Sequence, residues 1–215
     1  MPKALVLDFG GVVSRTMFET HADNEKALGL SPGTLSWFGP FDPSSDVHWR
    51  DMQAGNITER DYWAIRMKET ADLVGENWTV FSEFVGRVRG ANPSSAIRPE
   101  ALDAINKAHA AGIRLAILSN ELDLFYGKEL REKLTFLDKF EVIVDATYTG
   151  ILKPDPRAYA AATDALDLTP DECVFVDDQP KNVHGAVAFG MHAVQFDVTR
   201  PAESYAEALG LFGPK

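Results

Sequence analysis

The stretch ALVLDFGGV at residues 4–12 decides how this chain folds. Its first four residues are apolar, which is typical of a strand buried inside a parallel sheet. Asp8 comes directly after them, and two glycines follow it closely. Because open α/β sheets bind ligands at the carboxyl ends of their strands, we expect Asp8 to face a binding crevice.

Other short apolar segments repeat this pattern further along the chain. Pro99 suits the first position of a helix and Gly112 suits the position just past its end, so a helix is predicted between two of these segments. Alternation of strands and helices predicts an α/β fold, with helices on both faces of a parallel sheet. Right-handed crossovers then predict five strands in the spatial order 141–144, 114–118, 4–8, 173–177 and 193–196.

Residues 15–92 do not alternate and are predicted to be helical throughout. The sequence therefore predicts an α/β core domain from residues 1–14 and 93–215, and an inserted helical domain at 15–92, with a return linker at 92–95. All four tryptophans lie in the insert. We expect them to form the packed core of a small helical domain. Alternatively, one or two of them line a substrate pocket.

Composition and charge disfavour several classes of partner. The chain has 21 Lys and Arg against 32 Asp and Glu, a formal net charge of −11, and it lacks basic runs, so we expect neither nucleic acid nor an anionic membrane as a partner. No stretch approaches the roughly 18 apolar residues of a membrane span, and the start of the sequence leads directly into a strand. We expect a cytoplasmic protein, with Cys173 as a buried and unreactive thiol.

Polar side chains lie near the ends of several predicted strands. Asp8 can act as a nucleophile, as a metal ligand, or as both. Ser119 and Asn120 can donate hydrogen bonds to phosphoryl oxygens, and Lys153, in the turn 150–154, supplies a fixed cation. Asp177 and Asp178 form an acidic pair at the end of the strand predicted at 173–177. Each position alone is common in a strand end, a helix cap or a turn, but the combination predicts a phosphate-handling site that uses Mg²⁺.

In this order the motifs resemble those of the haloacid dehalogenase (HAD) superfamily. The matching segments are LDFGGV at 7–12, LSN at 118–120, KPDP at 153–156 and FVDDQPKN at 175–182. The resemblance implies a Rossmann-like core and an α-helical cap formed by the insert, as in many small phosphatases of the superfamily.

The resemblance also implies a role for each matching residue. Asp8 would be the nucleophile, and Asp177 would hold Lys153 in place. Mg²⁺ would be bound by Asp8, Asp178 and the backbone carbonyl of Gly10. The phosphate group would be bound by Gly10, Gly11, Ser119, Asn120 and Lys153.

Gly10 departs from the family pattern. Phosphatases of this family usually carry an aspartate at this position as general acid and base, and such proton transfer is worth about 10²–10⁴ in rate. An acyl phosphate would need little help of this kind. Alternatively, Arg15, His21 or Asp46 supplies the proton, or the protein binds phosphate compounds without turning them over quickly.

Three functions are compatible with the sequence. The leading one is a Mg²⁺-dependent phosphohydrolase that acts on a small phosphorylated metabolite through an aspartyl-phosphate. The others are a phosphate-binding or regulatory module and a 2-haloacid dehalogenase, although the acidic pair at 177–178 would repel a carboxylate substrate. The sequence leaves the substrate and the oligomeric state open.

Overall fold

The computed structural model describes residues 1–89, 93–128 and 132–213 of the chain. The chain divides into two compact units. The core unit comprises Met1–Arg15 and Ser94–Lys215, and the insert unit comprises Thr16–Pro93. Residue 92, where the predicted insert ends and its return linker begins, lies outside the described residues, as do residues 214 and 215 of the predicted core.

The core unit contains a five-stranded, fully parallel sheet. Its order is β3-β2-β1-β4-β5, which confirms the order predicted from the sequence. β1 lies at the centre and is buried on both faces, which explains why it reads as an unbroken apolar run. The strands are β1 (Ala4–Leu7), β2 (Arg114–Ser119), β3 (Val142–Asp145), β4 (Cys173–Asp177) and β5 (His192–Gln195).

The insert unit is helical, and several of its aromatic side chains contact Phe18. The buried rings of Trp37 and Trp49 contact Phe18 edge to face, with ring centroids 5.6 and 5.4 Å from it. These two tryptophans thus have the core role predicted for them. The helices of this unit are α1 (His21–Leu28), α2 (Val47–Gln53), α3 (Glu59–Val74) and α4 (Phe81–Arg89).

A buried ion pair fixes the loop that leads into α2. The carboxylate of Asp46 is 1% exposed and accepts hydrogen bonds from the Trp49 N–H at 2.9 Å, from the Tyr62 hydroxyl at 2.8 Å and from the guanidinium of Arg66. Burial alone would raise the pKa of Asp46, but these donors outweigh it and lower the pKa below its ordinary value. Asp46 is therefore held as a structural carboxylate inside the insert unit.

The helices of the core unit cover both faces of the sheet. Because side chains alternate along a strand, Leu5 and Leu7 of β1 pack into one apolar cluster, and Ala4 and Val6 pack into another. The helices are α5 (Pro99–Ala110), α6 (Leu122–Tyr126), α7 (Ala146–Thr149), α8 (Pro156–Leu166), α9 (Pro180–Phe189) and α10 (Pro201–Gly210). The first cluster includes residues of α5 and α10, and the second includes residues of α8 and α9.

Two further sequence predictions concern Cys173 and the helix at Pro99. α5 begins at Pro99, as the sequence predicts. Cys173 is fully buried, and burial raises the pKa of its thiol to about 11, which agrees with an unreactive cysteine. Within the described residues, we find no helix that combines the length and the apolar character needed to cross a membrane.

Candidate active site

Asp8 lies at the carboxyl edge of the sheet, immediately after β1. Its backbone N–H donates to the carbonyl of Val176 at 2.9 Å, so the pairing of β1 with β4 continues through Asp8. The next residues, Phe9–Val13, form a wide turn. This turn ends the strand and leaves the Asp8 carboxylate near the ends of the neighbouring strands.

The buried ammonium of Lys153 bridges two carboxylates. Its Nζ donates to Oδ1 of Asp8 at 2.8 Å and to Oδ2 of Asp177 at 2.6 Å. Lys153 and Asp177 are only 4% and 0% exposed, so both charges are removed from water. A buried charge is tolerated when it is paired and hydrogen-bonded, and Lys153 meets both conditions.

The buried charges shift the pKa values of Lys153 and Asp8. Burial lowers the pKa of Lys153, but the charges of Asp177 and Asp8 outweigh it and raise the pKa, so the ammonium stays protonated. For Asp8, burial raises the pKa to about 7, with the charge of Asp177 adding to the rise and Lys153 opposing it. Burial is therefore the main cause of the raised pKa of Asp8, and the two neighbouring charges act on it in opposite directions.

Asp177 is held by donors from its own chain segment. Its Oδ1 accepts from the Gln179 N–H at 2.8 Å, and the Asn182 amide donates to both carboxylate oxygens at 3.1 Å. Together with the bond from Lys153, these contacts engage both oxygens of Asp177. The carboxylate is thus placed to hold Lys153, the role that the family resemblance assigns to it. Sequence reasoning had assigned no role to Gln179 or Asn182, although both lie in the quoted segment 175–182.

The Asn120 side chain makes a contact that the sequence did not predict. Its Oδ1 accepts from the Lys153 N–H at 2.7 Å and its Nδ2 donates to the Lys153 carbonyl at 3.3 Å. Asn120 therefore fixes the backbone of Lys153. The role of Asn120 in binding a phosphoryl group stays a prediction. Ser119, at the end of β2, is 5% exposed, and its hydroxyl accepts a long hydrogen bond of 3.4 Å from the Glu121 N–H.

The acidic residues fit a hard divalent cation. Carboxylate oxygens of Asp8, Asp177 and Asp178 all lie within 4.8 Å of one another. Because Lys153 and nearby donors engage Asp177, the other two carboxylates are better placed to bind a cation. Oxygen ligands of this kind suit Mg²⁺.

The two glycines after Asp8 differ in what they require of the backbone. Gly11 has φ +77°, and a Cβ placed on it would lie 2.6 Å from Oδ2 of Asp178. The Asp178 carboxylate can approach the turn so closely only because residue 11 has no side chain. Gly10, in contrast, has φ −70° and no atom within 4 Å of a Cβ placed on it. A Cβ therefore fits at position 10 but not at position 11.

The residues considered as substitutes for an acid at position 10 have other contacts of their own. Asp46 forms the buried ion pair with Arg66. Arg15 donates to the carbonyl of Ser95 within the core unit. Both ring nitrogens of His21 are buried, and burial lowers the pKa of its imidazole. Because the ion pair with Arg66 holds Asp46 as a buried carboxylate inside the insert unit, the structure gives no support to Asp46 as the proton donor.

Comparison with known proteins agrees with this geometry. The family model for haloacid dehalogenase-like hydrolases matches residues 2–190. That match spans most of the chain, and the chain belongs to this family of hydrolases.

Two relatives whose names give different activities are similar to this chain in sequence to a comparable degree. A phosphatase from Mycobacterium tuberculosis is 33% identical over 99 residues, which are 46% of this chain and 46% of the relative. An (S)-2-haloacid dehalogenase from a Pseudomonas species is 28% identical over 151 residues, 69% of this chain and 65% of the relative. The chain thus spans less than two thirds of the length of either relative.

A solved structure shows the same fold. The L-2-haloacid dehalogenase from Xanthobacter autotrophicus superposes with a TM-score of 0.58 at 20% sequence identity. The match covers 100% of this chain and 84% of that one. At this identity the likeness concerns the fold alone.

The contrast between the two glycines gives a direct test of the turn. Gly11→Ala should lower the free energy of unfolding by about 2 kcal/mol, because a left-handed conformation disfavours a Cβ and the new methyl group would collide with Asp178. Gly10→Ala should be neutral or stabilising by up to about 1 kcal/mol, since its φ suits alanine and the space is open. Urea denaturation of both variants measures the difference, and equal stabilities would contradict the turn described here.

Proposed function

We propose that this protein is a Mg²⁺-dependent phosphohydrolase that acts on a small phosphorylated metabolite through an aspartyl-phosphate. The observation that carries the proposal is the charge around Asp8. Carboxylate oxygens of Asp8, Asp177 and Asp178 lie within 4.8 Å of one another, and the buried ammonium of Lys153 contacts Asp8 and Asp177. A divalent cation and a phosphoryl group suit such a site, because the cation would offset the negative charge of the carboxylates and of the phosphoryl group.

In the proposed reaction, the carboxylate of Asp8 attacks phosphorus while the bond from phosphorus to the leaving oxygen breaks. Water then attacks phosphorus in the aspartyl-phosphate, which releases phosphate and regenerates Asp8. Lys153 stabilises the negative charge on the phosphoryl oxygens, and Asp177 keeps its ammonium in place. The Ser119 hydroxyl and the backbone amides of the turn would donate hydrogen bonds to the same oxygens.

Asp8, Asp178 and the carbonyl of Gly10 would hold the cation. When bound, Mg²⁺ supplies positive charge that stabilises the phosphoryl group during transfer. In this proposal Asp177 serves Lys153 instead of the cation, because its oxygens already accept hydrogen bonds from Lys153, Gln179 and Asn182.

A 2-haloacid dehalogenase is the second candidate, and the relatives named as dehalogenases favour it. It would use the same nucleophile to displace a halide from carbon. Its substrate carries a carboxylate, however, which Asp177 and Asp178 would repel unless a cation intervened. The charge of the site therefore supports the phosphohydrolase over the dehalogenase.

An assay of both reactions, with and without Mg²⁺, tests the proposal. We expect inorganic phosphate to be released from a panel of phosphorylated sugars, nucleotides and acyl phosphates, with the activity lost on chelation and restored by Mg²⁺. We expect no halide from 2-chloropropionate. Metal-independent halide release would favour the dehalogenase, and Mg²⁺ binding without turnover of any substrate would favour a binding module.

Substitutions of single acidic residues test where the cation binds. Asp178→Asn removes a formal charge from the proposed ligands and should weaken Mg²⁺ binding at least about tenfold, measured by titration calorimetry. Asp164→Asn removes the same charge from an exposed position on α8 and should keep the wild-type affinity. Equal affinities of the two variants would place the cation elsewhere.

Gly10 generates a separate prediction about the leaving group. With no carboxylate at position 10, bond cleavage depends on the acidity of the leaving group itself. Nitrophenyl phosphate and acyl phosphates should therefore react at least about tenfold faster than alkyl phosphates. Gly10→Asp should narrow this gap, and the open space and ordinary φ at residue 10 allow the new side chain.

Gly10→Asn is the matched control, because asparagine has nearly the same shape as aspartate but cannot transfer a proton. It should leave the dependence on the leaving group unchanged. If the wild-type enzyme shows no such dependence, another residue already supplies the proton. If Gly10→Asn narrows the gap as much as Gly10→Asp, the effect comes from the shape of the side chain and not from proton transfer.

A further inference from the structure

Arg98 contacts the turn that follows Asp8, and it lies outside the four sequence motifs quoted above. The residue is 1% exposed and directly precedes α5. Its Nε donates to the carbonyl of Gly11 at 3.0 Å, and its backbone N–H donates to the carbonyl of Val13 at 3.0 Å. The centre of its guanidinium lies 5.4 Å from the centroid of the Phe196 ring.

These contacts act on the part of the turn that the proposed chemistry uses. A peptide unit is planar, so the bond to the Gly11 carbonyl also fixes the direction of the next N–H in the turn. Gly11 is the residue that Asp178 approaches so closely that no Cβ would fit. A change in the orientation of the Gly11 peptide would therefore be expected to change how closely the Asp178 carboxylate approaches the turn.

The Arg98 guanidinium differs from an apolar side chain in what it can do at this place. A buried charge costs desolvation energy, and a well-packed apolar side chain is often as stabilising or more so. The guanidinium, however, presents several donors in one rigid plane, and that plane can also stack on an aromatic ring. A rigid group of this kind can hold a carbonyl in one direction, which a flexible apolar side chain cannot.

We infer that Arg98 is a positioning residue of the active site: it holds the Gly11 peptide so that the turn carrying Asp8 and Gly10 meets Asp178 at the spacing that Mg²⁺ requires. The part that concerns Mg²⁺ rests on the proposed function. The hold on the turn does not depend on it and can be measured separately.

Tyr205 offers a matched comparison. Its hydroxyl donates to the carbonyl of Val12 at 3.0 Å, one residue further along the same turn, and the side chain is also buried. Tyr205→Phe therefore removes a buried hydrogen bond to the turn without touching the Gly11 peptide. Arg98→Lys keeps a positive charge but loses the rigid planar group.

Two measurements on these variants test the inference. Hydrogen exchange of the amides in residues 9–13 should become at least about tenfold faster in Arg98→Lys, and far less so in Tyr205→Phe. Titration calorimetry should show Mg²⁺ binding at least about tenfold weaker in Arg98→Lys and nearly unchanged in Tyr205→Phe. Arg98→Ala should regain part of its Mg²⁺ affinity when free guanidinium is added at a concentration that does not unfold the protein.

The possible outcomes separate this inference from the proposed function. Equal effects of Arg98→Lys and Tyr205→Phe on both measurements would overturn the inference, since Arg98 would then serve stability alone. If the wild-type protein binds no Mg²⁺ and hydrolyses no phosphate ester, the proposed function fails, and the exchange rates still decide whether Arg98 holds the turn. Should Arg98→Lys not fold, Phe196→Leu removes the ring beneath the guanidinium and should produce the same changes in weaker form.

Discussion

The bridge from the Lys153 ammonium to Asp8 and Asp177 is the contact on which the rest of the site depends. It ties together residues at the carboxyl ends of β1 and β4, and Asn120, just after β2, holds the backbone of Lys153 itself. The sheet order brings these strand ends together, and the hydrogen bonds fix the side chains. A single buried ammonium thus sets both the position of the candidate nucleophile and the charge around it.

That charge favours one class of reaction over another. The Lys153 ammonium carries one positive charge beside three neighbouring carboxylates. Burial raises the pKa of Asp8 to about 7, with Lys153 opposing the rise and Asp177 adding to it. A site of this kind suits a cation together with a phosphoryl group, and it disfavours a carboxylate substrate. The fold alone cannot make this distinction, because HAD-like hydrolases include both dehalogenases and phosphatases. The proposal of a phosphohydrolase therefore rests on the acidic residues and not on the architecture.

The sequence predicted the sheet well, because short apolar runs and the rule of right-handed crossovers leave few arrangements for five parallel strands. It also grouped Asp8 and the acidic pair at 177–178, which lie at strand ends, with Lys153, which lies in a turn after the helix Ala146–Thr149. It could not predict that Asn120 contacts Lys153, or that Arg98 contacts Gly11, because these contacts join side chains to backbone 33 and 87 residues away. Nor could it show that Gly11, and not Gly10, has the positive φ, since either glycine allows it.

Mass spectrometry of the protein during turnover tests the central claim most directly. The protein is mixed with nitrophenyl phosphate and Mg²⁺, quenched in acid and digested. The account predicts one added phosphoryl group on the peptide that contains Asp8, and no such adduct in Asp8→Asn. Release of phosphate without any adduct on that peptide, or with the adduct on another residue, would contradict the role of Asp8 as the nucleophile.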